Sequence, residues 1–130
     1  MESRRLIGYW RNEMHPEYPD PKDLVDESWN EDERHVVWAY LCSGTMIMSF
    51  MGLSPCRLCG QPNGALEFTD GVYQWPEGLA HYVIDHDLRL PQQVIEHAVA
   101  KIDLLEESKA SLDWWLSAPP TRGGRLVSDG

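Results

Sequence analysis

No apolar run in this sequence is long enough to cross a bilayer. The longest, TMIMSFMGL at 45–53, falls far short of the roughly 20 residues a spanning helix needs. Basic residues are scarce too. Lys and Arg number 11 against 21 Asp and Glu, giving a net charge of −10. Phosphate groups and acidic lipids are bound through Lys and Arg, so neither a nucleic-acid nor a membrane partner is expected. A basic protein partner is compatible with such a charge. The opening MESRRLIGYW has basic residues but no apolar run behind them, so no signal peptide is expected and the cytoplasm is the expected location. Cysteine is rare and odd in number, with three, which fits no disulfide framework. In a reducing compartment a close cysteine pair points instead to a metal. Also missing are internal repeats, a His-Glu-x-x-His pair, a phosphate-binding loop, a dinucleotide-binding glycine pattern and a Gly-x-Ser-x-Gly elbow. No residue is nominated as catalytic, and an enzyme is not expected.

What is present is 130 residues of ordinary globular composition, enough for one domain with a real core. Residues 1–30 read as an irregular acidic arm packed on the domain, because HPEYPDPKD holds three prolines and forbids a long helix. Residues 31–118 read as an α+β domain. EDERHVVWAYLCS predicts a helix over about 31–43, capped by Ser28 with Glu31 or by Asn30 with Glu33, and ended by Gly44 in a left-handed cap. TMIMSFM reads as a buried strand. ALEFT and VYQW flank Asp70-Gly71, a hairpin signal. Pro76 is placed to open a short helix. Pro91 opens a longer one to about 107, whose Val94, Ile95, Ala98, Ile102 and Leu105 share one face. SLDWWLSA adds a last helical turn, and residues 119–130 read as a disordered tail. The expected architecture is a small antiparallel sheet of about three strands packed with three to four helices.

The chemistry concentrates in SPCRLCGQPNG, residues 54–64. Cys56 and Cys59 have the Cys-x-x-Cys spacing of half a zinc site, and zinc takes four nitrogen or sulfur ligands in a tetrahedron. His81 and His86 supply the other half, and the predicted hairpin fills the gap between the two pairs. Knuckle, hairpin and ligand-bearing helix in that order make a treble-clef-like arrangement, with Gly60 permitting the tight turn after the second cysteine. One feature stands against it. Residues five apart on a regular helix point about 140° away from each other, so His86 must sit where the helix departs from regularity. Asp85, Cys42 and His97 are reserve ligands, although Cys42 reads better as a small buried core residue and His97 as an ordinary boundary histidine.

His15-Pro16-Glu17 followed by Pro55-Cys56-Arg57-Leu58-Cys59 also matches the letters of a zinc deaminase signature. That chemistry needs both motifs at helix starts. Pro19 and Pro21 break the first, and Gly60, Pro62 and Asn63-Gly64 break the second. Two cysteines and two histidines saturate zinc and leave no position for a reacting water, so a structural ion is expected.

Between residues 13 and 33, nine acidic residues stand against one lysine, Lys22, with Tyr9, Trp10, Tyr18 and Trp29 interleaved. Two readings fit: a solvated face with its aromatics tucked inward, or a contact surface for a basic partner. Trp10, Tyr18, Asp20, Asp23, Asp26, Glu27 and Trp29 are the candidate contact residues. Six tryptophans are many for this length, and Trp38 with the Trp114–Trp115 pair cannot all point inward.

YPDPKDLVDESW and CRLCGQPNGALEFTDGVYQWPEGLAHYVIDHDLRLP together resemble a family of short bacterial cytosolic proteins with a Cys-x-x-Cys-Gly, Trp-Pro-Glu-Gly-Leu-Ala-His-Tyr-Val core. The likeness covers roughly residues 16–97. Some members resemble immunity proteins paired with interbacterial toxins, including Rhs-type toxins tipped with an ADP-ribosyltransferase. The resemblance implies Cys56, Cys59, His81 and His86 as the metal set and a cognate toxin domain as partner. On that basis the arm would face a basic cleft on the toxin, its carboxylates imitating a pyrophosphate. A stand-alone zinc-binding regulator or adaptor, and a metalloenzyme with an open zinc site, are the alternatives.

Overall fold

Asn30 starts the first long helix. Its side-chain oxygen accepts from the Glu33 N–H at 2.8 Å, satisfying one of the free donors at a helix start. The Glu33 carboxylate does not return the bond; it accepts from the Trp29 indole N–H at 2.8 Å. The computed structural model describes residues 3–49 and 54–118, with the backbone of 121–122 and 125–126. Helix α1 runs Glu31–Cys42 and buries Val37, Tyr40 and Leu41. Gly44 does not take the left-handed conformation expected of it. Its lack of a side chain serves packing instead, since a Cβ there would lie 2.7 Å from the Trp75 ring.

The class is α+β, as the sequence predicts, but the sheet has four strands and is mixed. Strands β1 (Arg5–Leu6), β2 (Thr45–Ser49), β3 (Leu66–Thr69) and β4 (Tyr73–Pro76) lie in the order β1-β4-β3-β2. The arm supplies the extra strand: β1 runs parallel to β4, with Arg5 opposite Tyr73. The arm is therefore not wholly irregular. It also holds one 3₁₀ turn, Pro21–Leu24, capped by Asp20. Pro76 ends β4 instead of opening a helix, and α2 (Leu79–His86) begins after Gly78. Helix α3 (Gln92–Glu107) starts directly after Pro91. Its Val94, Ile95 and Ala98 are buried, whereas Leu105 lies beyond the core and is exposed. Helix α4 (Leu112–Ser117) is capped by Ser111 and leaves Trp114 and Trp115 exposed, as Trp38 is on α1. In the tail, β5 (Thr121–Arg122) pairs with β6 (Arg125–Leu126); its other residues lie outside the described ones.

The core forms where α1 packs on α2 and α3 over one face of the sheet, around Tyr40, Tyr73, Trp75, Leu79, Val83 and Leu88. Strand β2 is a correction: its five residues are all exposed, because it lies at the sheet's rim and, among the described elements, packs substantially only against β3. Cys42 is also exposed and is not the core residue expected.

The hairpin tip is locked by Asp70. One carboxylate oxygen accepts from the Val72 and Tyr73 N–H groups. The other accepts from the Tyr40 hydroxyl and lies 2.7 Å from His97 Nε2. Burial alone would raise the Asp70 pKa, but the Tyr73 N–H, His97, the Tyr40 hydroxyl and the Val72 N–H outweigh it. The carboxyl is held at about 2. A group depressed in the folded state stabilises above its unfolded pKa, and loses that contribution as pH falls through the folded value. Asp70→Asn is therefore expected to cost about 2 kcal/mol at pH 7. The difference from wild type should shrink between about pH 4 and pH 2. Urea melts across that range read it directly, and a gap independent of pH would refute the assignment.

Candidate metal centre

The knuckle is a tight loop with few backbone bonds of its own. Ser54 N–H donates to Gly64 O at 3.1 Å, Cys56 N–H to Gln61 O at 2.8 Å and Gly60 N–H to Cys56 O at 2.8 Å. Gly60 has φ +77°, the left-handed conformation that glycine takes without strain. This turn aims backbone N–H groups at the first cysteine: Leu58 N–H lies 3.4 Å from Cys56 Sγ. Burial would push the Cys56 thiol up, yet the Leu58 and Cys59 N–H groups, with Cys59 and His81 beside it, bring its pKa below the ordinary thiol value. A thiolate is the form that ligates metal.

The loop docks on the start of α2. Asn63 Nδ2 donates to Gly78 O at 3.1 Å, and a Cβ on Gly78 would meet the Asn63 carbonyl at 2.4 Å. That closeness sets α2 against the cysteines. His81 Nε2 lies 3.4 Å from Cys59 Sγ, while its Nδ1 faces Asp85 Oδ2 at 2.8 Å. Asp85, a reserve ligand by sequence, instead fixes the His81 ring, the place carboxylates commonly take beside metal-bound histidines.

His86 resolves the objection from helical spacing. It is the last residue of α2, and Asp87 beyond it takes φ +54°. The closing turn is wide: the Asp87 N–H reaches back five residues to Tyr82 O, and the Leu88 N–H bonds the same oxygen. A turn closed over five residues rotates less per residue than a regular one, so His86 comes round towards His81. Their rings stand 4.9 Å apart and nearly perpendicular.

The donor atoms of Cys56, Cys59, His81 and His86 all lie within 4.8 Å of one another. Ligands around a tetrahedral zinc ion stand roughly 3.5 Å apart, so small side-chain shifts would close the shell. The strongest sign of fit is an orphan: His86 Nε2 is buried without a hydrogen-bond partner. A buried polar nitrogen left unpaired is costly, and coordination would satisfy it. The four sequence-nominated ligands are thus brought together and can hold a metal ion. Cys42 and His97 lie elsewhere. His15 pairs with Glu17 at 3.1 Å on the arm and is not among the converging donors.

The proposed contact residues divide. Asp23 and Glu27 are exposed. Asp20 caps its 3₁₀ turn. Asp26 accepts from the Ser28 hydroxyl and N–H and from Arg89 Nη1 at 2.9 Å, which lower its pKa. Trp29 is 4% exposed and offers no contact surface. Trp10 and Tyr18 are half-buried; Trp10 stands edge-on to Tyr82 at 5.3 Å and Tyr18 stacks on His15 at 4.5 Å. Sequence reasoning missed Tyr82, whose hydroxyl accepts from the Arg57 N–H at 2.7 Å and so joins the knuckle to α2, while its ring meets Trp10 on the arm. Its signal was slight: the residue between two helix faces, next to a ligand.

No protein-family model matches the chain, and no curated protein or solved structure matches it either. Fold and site together define a small α+β protein with a two-cysteine, two-histidine cluster that can hold a metal ion. No helix among the described residues is long and apolar enough to cross a membrane.

Proposed function

We propose that this is a non-catalytic binding protein of the bacterial cytoplasm, an immunity protein that occludes the active site of a cognate toxin domain. An ADP-ribosyltransferase is the favoured toxin. The observation that carries the reading is the acidic ridge. Glu13, Glu17, Asp23 and Glu27 on the arm, and Glu31 and Asp32 at the start of α1, are all exposed; the arm is anchored by Trp29 and the Asp26–Arg89 pair. Such a ridge draws in a basic cleft and accelerates encounter. Asp23 and Glu27 are the carboxylates free to imitate a pyrophosphate, since Asp20 and Asp26 serve the arm itself.

The ion is zinc, and its role is structural. Two thiolates and two imidazoles favour zinc and fill its coordination shell.

The test uses toxin domains encoded beside this protein. Coexpression should restore growth, and the isolated pair should bind with an affinity that falls as salt rises. Asp23→Lys with Glu27→Lys should slow association by about 10–100-fold. Unchanged binding and unchanged salt dependence in that variant would remove the ridge from the interface.

A further inference from the structure

The arm, the knuckle and the start of α2 line an open pocket of about 540 Å³, within the range of small-molecule pockets. Tyr9, Trp10, Tyr18 and Tyr82 line it, and so does Glu67. Glu67 stands on β3 opposite Pro76, on the sheet face away from Phe68 and Trp75, yet is only 5% exposed. Its Oε1 accepts from the Tyr9 hydroxyl and from Gln74 Nε2 at 3.1 Å. Both donors are neutral. Among the described residues, no basic side chain pairs with it. The other acidic group in the wall, Glu77, spends an oxygen on the Ala65 and Leu66 N–H groups. Arg57 at the rim is exposed, its Nη1 held by the Arg11 carbonyl at 2.8 Å.

A buried acidic side chain without a direct ion-pair partner is expensive when charged; the Arg4 guanidinium bonds Gln74 Oε1, not Glu67, and Glu67 borders a pocket walled in part by aromatic rings. Ring faces attract cations, more so where water is excluded. We propose that the cavity binds an organic cation, a guanidinium or ammonium group carried on an apolar stem. The cation pairs with Glu67, and the stem lies against Trp10 and Tyr18. A free amine and the basic side chain of a partner protein share this chemistry. The site stands independently of the toxin reading and holds even if that reading fails.

The test titrates the full-length, metal-loaded protein with agmatine, with the blocked dipeptide amide acetyl-Phe-Arg, and with its neutral citrulline counterpart, following the indole N–H resonances. The arginine dipeptide should bind about tenfold tighter than the citrulline one and shift Trp10. Glu67→Gln, which keeps an acceptor for Tyr9 and Gln74, should shrink that preference to about threefold or less. Agmatine binding as tightly as the dipeptide identifies a free small cation. A dipeptide about tenfold tighter identifies a partner's side chain. If Glu67→Gln does not fold, Tyr18→Leu takes its place and should weaken the arginine dipeptide about fivefold. Equal affinity for arginine and citrulline, no binding of either cation, shifts confined to other tryptophans, or a folded variant with unchanged preference would overturn the proposal.

Discussion

Stripping the metal from the purified protein is expected to lower its melting temperature by about 15 °C. An ion held at about a thousand times its dissociation constant, and not bound by the unfolded chain, stabilises by about 4 kcal/mol. At this chain length each kcal/mol shifts the midpoint by roughly 3–5 °C. The structure explains why so much rests on one ion. The knuckle has little core of its own, with Cys56 its one fully buried residue. Without the ion, His86 Nε2 is buried unpaired, and the loop is tied to α2 by a few polar contacts: Asn63 to Gly78, the Arg57 N–H to the Tyr82 hydroxyl, and Cys59 to His81. Chelation followed by a melt, then readdition of zinc, reads the effect. Cys56→Ser should reproduce the loss and fail to recover on readdition. A chelated protein that melts where the loaded one does would rule out a structural ion.

Trp75→Ala should cost about 3–5 kcal/mol, a large part of the 5–15 kcal/mol typical of a domain. Trp75 is 1% exposed. Its ring meets Tyr40 at 5.1 Å, closes on the space Gly44 leaves open, and donates its indole N–H to the Leu41 carbonyl at 3.1 Å. One side chain thus fastens the hairpin to the end of α1. Trp75→Phe separates the two contributions. It keeps a ring but removes the donor to a buried carbonyl, and should cost about 1–3 kcal/mol. Urea unfolding measures both, and a loss below about 1 kcal/mol for the alanine variant would show that the hairpin is held elsewhere.

The hairpin and α1 were legible because each rests on local chemistry: Asp70-Gly71 turns the chain, and Asn30 caps. The four candidate ligands were legible through spacing, but not how His86 joins the other three. That depends on a wide final turn stabilised by backbone bonds to Tyr82 O, which no side-chain pattern announces. Strand β1 was hidden because two residues carry no alternation, and it forms only by pairing with Tyr73 and Gln74 far along the chain. The apolar letters of β2 mimic a buried strand, whereas its place at the rim leaves them in water. Trp29 was misplaced for the opposite reason: acidic neighbours suggested surface, while its indole found Glu33 and its ring the core. The cavity draws on three separated segments, so only the folded chain displays it.

The rim position of β2 bears on how this protein behaves in company. Thr45–Ser49 carries no lysine, proline or charge to keep its edge from recruiting another chain, and only a break in its pairing register between Met46 and Met48 serves that end. Self-association is opposed chiefly by long-range repulsion, since every copy carries a charge of −10. Such repulsion fades as salt shortens the Debye length. Colloidal stability is therefore a property of the solution as much as of the fold, and a buffer of low ionic strength is the condition in which separate copies are best kept apart.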